Sequence, residues 1–220
     1  MSSRMQKIVI AVVALALIIP TGFIGVGALT GGQDSTDAGG PGAASPVVED
    51  TRPAVDPADQ PARPQLAMPP LPAAVDQQTP AGAEAAVRYL LDSYPAMMTT
   101  GDTSAWEQVV SPQCAVCTQF LDNAQALSAQ DGYLVGGEFT VDDTRFSGTG
   151  EPPASGTVEV RFREAEGLLI DDPTRQGTPI PPVSGTLSAQ VAWDGSRWRV
   201  RDMALAPDHQ GAAGSDGGAG

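Results

Sequence analysis

The chain has 220 residues, a formal net charge of −14 at pH 7, 25 glycines and 20 prolines. The negative charge argues against nucleic acid and against anionic membrane surfaces as partners, because both would repel the protein. So many glycines and prolines predict one folded domain with accompanying flexible segments, rather than a compact fold over the whole length.

An uncharged apolar run from Ile8 to Leu29 follows Arg4 and Lys7 near the amino terminus. About 20 residues at about 1.5 Å each suffice to cross a bilayer core of about 30 Å. Because positive residues precede the run, we expect residues 1–29 to be a transmembrane signal-anchor, with the remainder on the extracytoplasmic side of the cell membrane. The alternative is a signal peptide cleaved after Val26-Gly27-Ala28, which would release a secreted protein.

Residues 30–78 contain recurring prolines, few large apolar residues and no helical or strand period. Such a segment cannot bury enough surface to offset its ordering entropy, so we expect a disordered linker. Its proline-rich half would act as a stiff spacer, or as a Pro-x-x-Pro ligand for a partner module. The Gly- and Ala-rich tail, residues 207–220, is also predicted to be disordered.

Residues 79–206 have the apolar periodicity of a folded domain. Thr79-Pro80 predicts a helix start, with the threonine as N-cap and the proline at the first helical position. An apolar face then recurs at helical spacing until Gly101, and Pro95 is expected to kink or divide this helix. A short helix follows, and Ser111-Pro112 opens a third.

After the third helix the apolar period changes to two residues. In the clearest strand, apolar residues from Val158 to Phe162 alternate with charged ones, and Asp194-Gly195-Ser196 predicts the turn of a closing hairpin. Other alternating runs begin at Phe139 and Leu187. We therefore expect an α+β domain in which three N-terminal helices pack on a curved, cone-like, four-stranded antiparallel sheet. The stretch 172–182 is expected to be a long loop.

Several pieces of this domain resemble a known family: Ala83–Tyr89, Thr100–Thr103, Ser111–Cys117 and Gly136–Val141. They are similar to a family of exported, often lipoprotein-like actinobacterial proteins that carry a domain of unknown function. The order of helices and strands resembles the nuclear transport factor 2-like cone fold. The resemblance implies fold and compartment but no activity, since that fold hosts enzymes and inert domains alike. The chain departs from the lipoprotein members because no acceptor cysteine follows its apolar run.

The two cysteines, Cys114 and Cys117, lie at the predicted start of the third helix. We expect a structural disulfide, because the compartment is oxidising and an i,i+3 pair in a first helical turn is within disulfide reach. A thiol–disulfide redox motif is the main alternative, although no strand precedes it as in thioredoxin-like sites. Zinc needs about four ligands, and the single histidine, His209, lies in the tail, so we expect no metal and no cofactor.

Enzymes with the cone fold place tyrosine, aspartate or histidine in the mouth of the cone. Candidate lining residues are Tyr89, Tyr94, Tyr133 and Trp106, with Asp142 or Asp143 as candidate bases. The domain has no histidine, which excludes Ser-His-Asp and Cys-His nucleophiles. Acid–base catalysis remains an alternative, although ordinary core packing also explains the aromatic residues.

Five arginines are predicted to share one face of the sheet: Arg161, Arg163, Arg197, Arg199 and Arg201. Such a patch would bind an anionic wall polymer or an acidic partner. The alternative is pairing with neighbouring acids across the strands, such as Glu159, Glu164 and Asp202.

Together these observations favour a non-enzymatic, membrane-tethered binding or accessory domain on the extracytoplasmic side. The expected partner is an envelope protein or a small apolar ligand held in the cone. The competing hypothesis is an extracytoplasmic enzyme that uses Cys114 and Cys117 for redox chemistry, or acid–base chemistry in the cone.

Overall fold

The computed structural model of the chain describes residues 50–208. The predicted signal-anchor, residues 30–49 of the predicted linker and most of the predicted tail lie outside the described residues. Within residues 50–208, no helix has both the length and the apolar character needed to cross a membrane.

The described residues contain three α-helices: α1 (Pro80–Thr100), α2 (Ser104–Glu107) and α3 (Ala115–Ala129). The predicted start of α1 is confirmed, because Thr79 Oγ1 accepts a hydrogen bond from Gly82 N at 3.1 Å and Pro80 is the first helical residue. α1 ends at Thr100, and the capping residue Gly101 has a φ of 75°, in the left-handed region that favours glycine. Pro95 lies inside α1 and does not divide it.

Seven strands follow the helices: β1 (Tyr133–Gly136), β2 (Phe139–Gly150), β3 (Pro153–Glu164), β4 (Gly167–Ile170), β5 (Thr178–Ile180), β6 (Val183–Trp193) and β7 (Trp198–Pro207). Four of them form an antiparallel sheet in the order β2-β3-β6-β7, which we call the larger sheet. The predicted hairpin at Asp194-Gly195-Ser196 is confirmed as the connection between β6 and β7.

The predicted architecture is wrong, because the described residues form two sheets rather than one. The second sheet has three strands in the order β1-β4-β5. The stretch 172–182, predicted to be a loop, contributes β5, and β1 and β4 have only four residues each. Strands this short show no visible two-residue period, which is why the sequence pattern missed them.

The helices also do not begin the described chain, contrary to the prediction of three N-terminal helices. Short 3₁₀ helices at Pro57–Asp59 and Ala73–Asp76 precede α1. The predicted disordered linker is wrong for residues 50–78, where Val75 is fully buried in the core. We call residues 50–78 the proline-rich segment.

The core lies between α1 and the larger sheet. Val87, Leu90 and Met97 of α1 are buried together with the inward side chains of β3, from Val158 to Phe162, and with Trp198 of β7. In the described part of the chain the buried core cluster runs from Val75 to Met203. Residues 50–208 therefore contain a hydrophobic core of their own, as an independently folding domain requires.

Tyrosine hydroxyls of the domain hold the proline-rich segment. Tyr133 Oη donates to the carbonyl of Pro61 at 2.6 Å, and Tyr89 Oη donates to the carbonyl of Pro69 at 3.0 Å. Proline has no N–H, so a proline-rich chain offers mainly carbonyl acceptors and cannot build a regular ladder by itself. Side-chain donors elsewhere in the domain supply the partners instead.

An ion pair fixes the start of this segment. Arg52 Nη1 donates to Asp171 Oδ1 at 2.5 Å, and Arg52 Nη2 donates to Asp171 Oδ2 at 3.0 Å. Asp171 is only 4% exposed. Hydrogen bonds to the carboxylates of Asp50 and Asp171 raise the pKa of Arg52 further above its usual high value. Arg52 therefore supplies the counter-charge that offsets the desolvation of the buried Asp171 carboxylate.

We expect Arg52→Ala to lower the free energy of unfolding by about 3 kcal/mol, because it leaves the buried Asp171 carboxylate without a counter-charge. Urea denaturation followed by tryptophan fluorescence measures this loss. The control is Arg163→Ala, which breaks the exposed Arg163–Asp142 pair and should have a much smaller effect, because solvent screens exposed ion pairs. Equal losses in the two variants would show that Arg52 does not anchor the segment.

Candidate functional site

A cavity of about 350 Å³ lies between α1 and the larger sheet. Its walls are mainly apolar and include Leu90 from α1, Leu187 from β6 and Met203 from β7. Exposed Pro181 and Asp208 mark its opening. The volume falls within the range of about 300–1,000 Å³ that is typical of pockets for small molecules.

Five aromatic side chains form one side of the cavity, and we call them the aromatic wall: Tyr94, Trp106, Phe120, Phe139 and Phe162. The Tyr94 ring lies at the centre, with ring centroids 6.3 Å from Trp106, 5.9 Å from Phe120 and 5.6 Å from Phe139. The ring centroids of Phe139 and Phe162 are 5.3 Å apart. These separations are those of favourable tilted and edge-to-face pairs, which keep the wall well ordered.

Glu164 is the acidic residue in the cavity wall next to these rings. Alternate residues of β3 point inward, and Val158, Val160 and Phe162 are buried. Glu164 is the next residue in this alternation, and it pairs in register with Phe139 on one side and Val183 on the other. The pleat of the strand therefore places a carboxyl group on the apolar face.

Burial raises the pKa of Glu164 from its usual 4.5 to about 7. Within residues 50–208 no hydrogen bond or ion pair to this carboxyl offsets the desolvation. Burial, and secondarily the charge of Glu164, raise the pKa of Tyr94 above its usual value. Tyr94 therefore stays a neutral phenol, while Glu164 changes its charge near neutral pH.

The structure divides the predicted lining residues into two groups. Tyr94 and Trp106 line the cavity. Tyr89 and Tyr133 do not line it, because their hydroxyls hold the proline-rich segment. Glu164 was predicted only as one of the acids that pair with the arginines across the strands, although the two-residue period of β3 already placed it on the same face as the buried apolar residues.

The candidate bases Asp142 and Asp143 are exposed and lie outside the cavity wall. Asp142 pairs with Arg163 at 2.6 Å. A hydrogen bond from Arg163 holds the pKa of Asp142 below its usual value. Neither aspartate is placed to exchange a proton with a molecule in the cavity.

The five predicted patch arginines lie in separate places. Arg161 and Arg163 belong to the last part of β3, whereas Arg199 is level with Ser155 near the start of that strand, about 20 Å away at 3.3 Å per residue. Arg199 pairs with Asp194 at 2.8 Å, and Arg197 pairs with Asp76 at 3.1 Å. Arg201 is exposed on β7. Recognition of an acidic partner by these arginines remains a prediction.

The predicted disulfide between Cys114 and Cys117 is confirmed. Both residues are fully buried at the start of α3, and neither lies in the cavity wall. The residues just before the disulfide run beside β7, since Ser111 N donates a hydrogen bond to the carbonyl of Val200 at 2.8 Å. The disulfide therefore lies where α3 starts, close to β7. Because its sulfurs are buried, a structural role is favoured over thiol exchange with a substrate.

Residues 50–208 hold no cluster of three or more potential metal ligands.

We expect Cys114→Ala/Cys117→Ala to lower the free energy of unfolding by about 2 kcal/mol, because the disulfide closes a very short loop. Thermal and urea denaturation measure the loss. Catalysis of insulin reduction by the unaltered protein, abolished in the variant, would contradict the structural role.

Glu164→Gln tests the buried carboxyl through the pH dependence of stability. Between the usual pKa of 4.5 and the folded pKa of about 7, the folded protein holds a proton that the unfolded chain releases, so stability falls as pH rises. At about pH 8 the variant should be more stable than the unaltered protein by on the order of 2 kcal/mol, discounted for partial exposure, with little difference at about pH 4.5. Urea denaturation at both pH values measures this, and Glu159→Gln, exposed on the same strand, is the control. An unchanged difference at the two pH values would contradict the raised pKa.

Two solved structures are similar to part of the chain. The intermembrane-space region of chloroplast protein ARC6 has 13% identity and a TM-score of 0.45, over 58% of this chain and 95% of that chain. A putative calcium/calmodulin-dependent protein kinase II association domain from Xanthomonas campestris has 12% identity and a TM-score of 0.37, over 60% of this chain and 93% of that chain. No curated protein matches the chain.

Residues 54–204 match DUF6318, a family of unknown function. The matched range contains all three helices, the smaller sheet and most of the larger sheet. It also begins inside the proline-rich segment, well before the helix start at Thr79. Since the match covers more than half of the sequence, the chain belongs to the DUF6318 family.

Proposed function

We propose that the domain is a non-enzymatic extracytoplasmic binding module that holds a small, mainly apolar molecule in its cavity. The observation that carries the proposal is the cavity of about 350 Å³, bounded by the aromatic wall and by aliphatic side chains of α1, β6 and β7. An apolar pocket with few polar groups is the usual form of a small-molecule binding site.

The energetics are consistent with reversible binding. A ligand that buries ~200 Å² of apolar surface gains about 5 kcal/mol at roughly 25 cal/mol per Å². A gain of about 5 kcal/mol corresponds to a dissociation constant of about 0.2 mM. Lost translational and rotational freedom offsets part of the gain, so burial of the ligand's apolar surface alone gives affinities on the order of millimolar. The walls come from regular elements with buried side chains, so little ordering cost is expected on binding.

The extracytoplasmic location rests on the residues before the domain and on the disulfide. Residues 1–29 carry the pattern of a signal-anchor, and disulfides persist in oxidising compartments. A membrane-anchored exported protein would have both features. The proline-rich segment packs on the domain, so the linker between the predicted anchor and the domain shortens to residues 30–49, which span at most about 70 Å.

Acid–base catalysis in the cavity is the second candidate, and Glu164, with a pKa of about 7, favours it. Binding is the better-supported function because the other ionisable groups of the wall are only Tyr94 and Asp208. Tyr94 stays a neutral phenol, and Asp208 is exposed at the opening. No second group is therefore poised beside Glu164 to exchange protons near neutral pH.

We expect the chain from residue 30 onward to bind N-phenylnaphthylamine, a neutral apolar dye whose fluorescence rises in dry surroundings. This form omits only the predicted anchor, and cooperative thermal unfolding checks its fold. Val183→Trp places a large ring in the cavity wall and should weaken dye binding at least about tenfold. Leu66→Trp is the matched control, because Leu66 is exposed outside the cavity. Equal dye binding by both variants would contradict the proposed site.

A further inference from the structure

We propose that the preferred ligand is an apolar amine, whose ammonium group pairs with the Glu164 carboxylate while its apolar part lies along the aromatic wall. This inference rests on the proposed function and names the ligand class for the same cavity.

The charges of the cavity wall are the first argument. Its two acids are Glu164 on the wall and Asp208 at the opening, and the described lining contains no Lys, Arg or His. The potential inside is therefore negative when these carboxyls are ionised, within a chain that already carries a net charge of −14. Such a cavity attracts cations and repels fatty acids and other anions.

The second argument is that, within residues 50–208, Glu164 has no hydrogen-bonding or charged partner. Its neighbour Arg163 points to the opposite face of β3 and binds Asp142. A buried carboxylate without a counter-charge is costly, and a bound ammonium group would supply that charge.

The aromatic wall is the third argument. Ring faces attract cations, most strongly when water is excluded, and Tyr94 brings both a ring and a hydroxyl oxygen that accepts a hydrogen bond. Tyr94 lies close enough to Glu164 for the carboxylate to raise the pKa of the phenol. A primary ammonium has three N–H donors, so it can donate hydrogen bonds to the Glu164 carboxylate and to the Tyr94 hydroxyl at the same time.

The pH dependence follows from the groups that face the cavity. These are Glu164 from β3, Tyr94 from α1 and Asp208 after β7. Tyr94 stays neutral, and Asp208 is exposed at the opening. An alkyl ammonium keeps its charge throughout the neutral range, so its affinity should rise as Glu164 ionises around pH 7.

Displacement of N-phenylnaphthylamine by decylamine and by decanol tests the inference, because these two molecules share an apolar chain and differ in charge. With the chain from residue 30 onward at about pH 8, we expect decylamine to bind at least about tenfold more tightly than decanol. Glu164→Gln should remove this preference by weakening decylamine alone. Glu159→Gln, which changes an exposed acid of β3 outside the cavity wall, is the control and should keep it. In the unaltered protein, the preference should also shrink from about pH 8 to about pH 6.

The outcomes separate the two proposals. Equal displacement by decylamine and decanol, unchanged in Glu164→Gln and between the two pH values, would overturn the amine inference and leave the apolar binding site standing. A preference for decylamine that Glu159→Gln also abolishes would overturn it as well, since general negative charge would then be the cause. Failure of the dye and of both competitors to bind would overturn the proposed function and this inference with it.

Discussion

The two-residue period of β3 is the constraint on which the rest of the structure depends. β3 lies inside the larger sheet and pairs with β2 and β6 over almost its full length. A shift of one residue would turn the buried Val158, Val160 and Phe162 to solvent and bury Arg161 and Arg163. The core therefore specifies the register strongly, and the position of Glu164 in the cavity follows from it. Two of the residues that fix this register, Val158 and Val160, lie outside the cavity wall, so core packing away from the cavity determines where the carboxyl lies.

The proline-rich segment shows how a chain without its own ladder becomes part of a domain. Its carbonyls accept hydrogen bonds from Tyr89, Tyr133 and the indole of Trp198, whose Nε1 lies 2.9 Å from Gln77 O. The Arg52–Asp171 pair closes its start. Tyrosines of the same domain thus have two different roles, since Tyr94 lines the cavity while the other two hold a neighbouring chain segment. The hydroxyls of Tyr89 and Tyr133 reach proline carbonyls of the segment, whereas Tyr94 lies in the cavity wall.

Local sequence signals accounted for the elements whose causes are local. The Thr79-Pro80 start and the Gly101 end of α1 depend on the capping preferences of a few adjacent residues. The alternation of β3 and the Asp194-Gly195-Ser196 turn are local in the same sense. The disulfide joins cysteines only three positions apart. Helical spacing placed Tyr94 and Trp106 on apolar helix faces, but it was the resemblance to the cone fold that made them candidate lining residues.

The remaining features depend on contacts between residues far apart in the chain. The smaller sheet joins strands of three and four residues whose period is too short to see, and only pairing partners stabilise them. The order of residues 50–78 depends on bonds such as Tyr133 to Pro61, which span 72 positions. Composition predicts that this segment does not fold alone, but it does not show which donors another part of the chain presents. The cavity has the same origin: alternation placed Glu164 on the inward face, and packing of α1 over the larger sheet left that face open to a ligand.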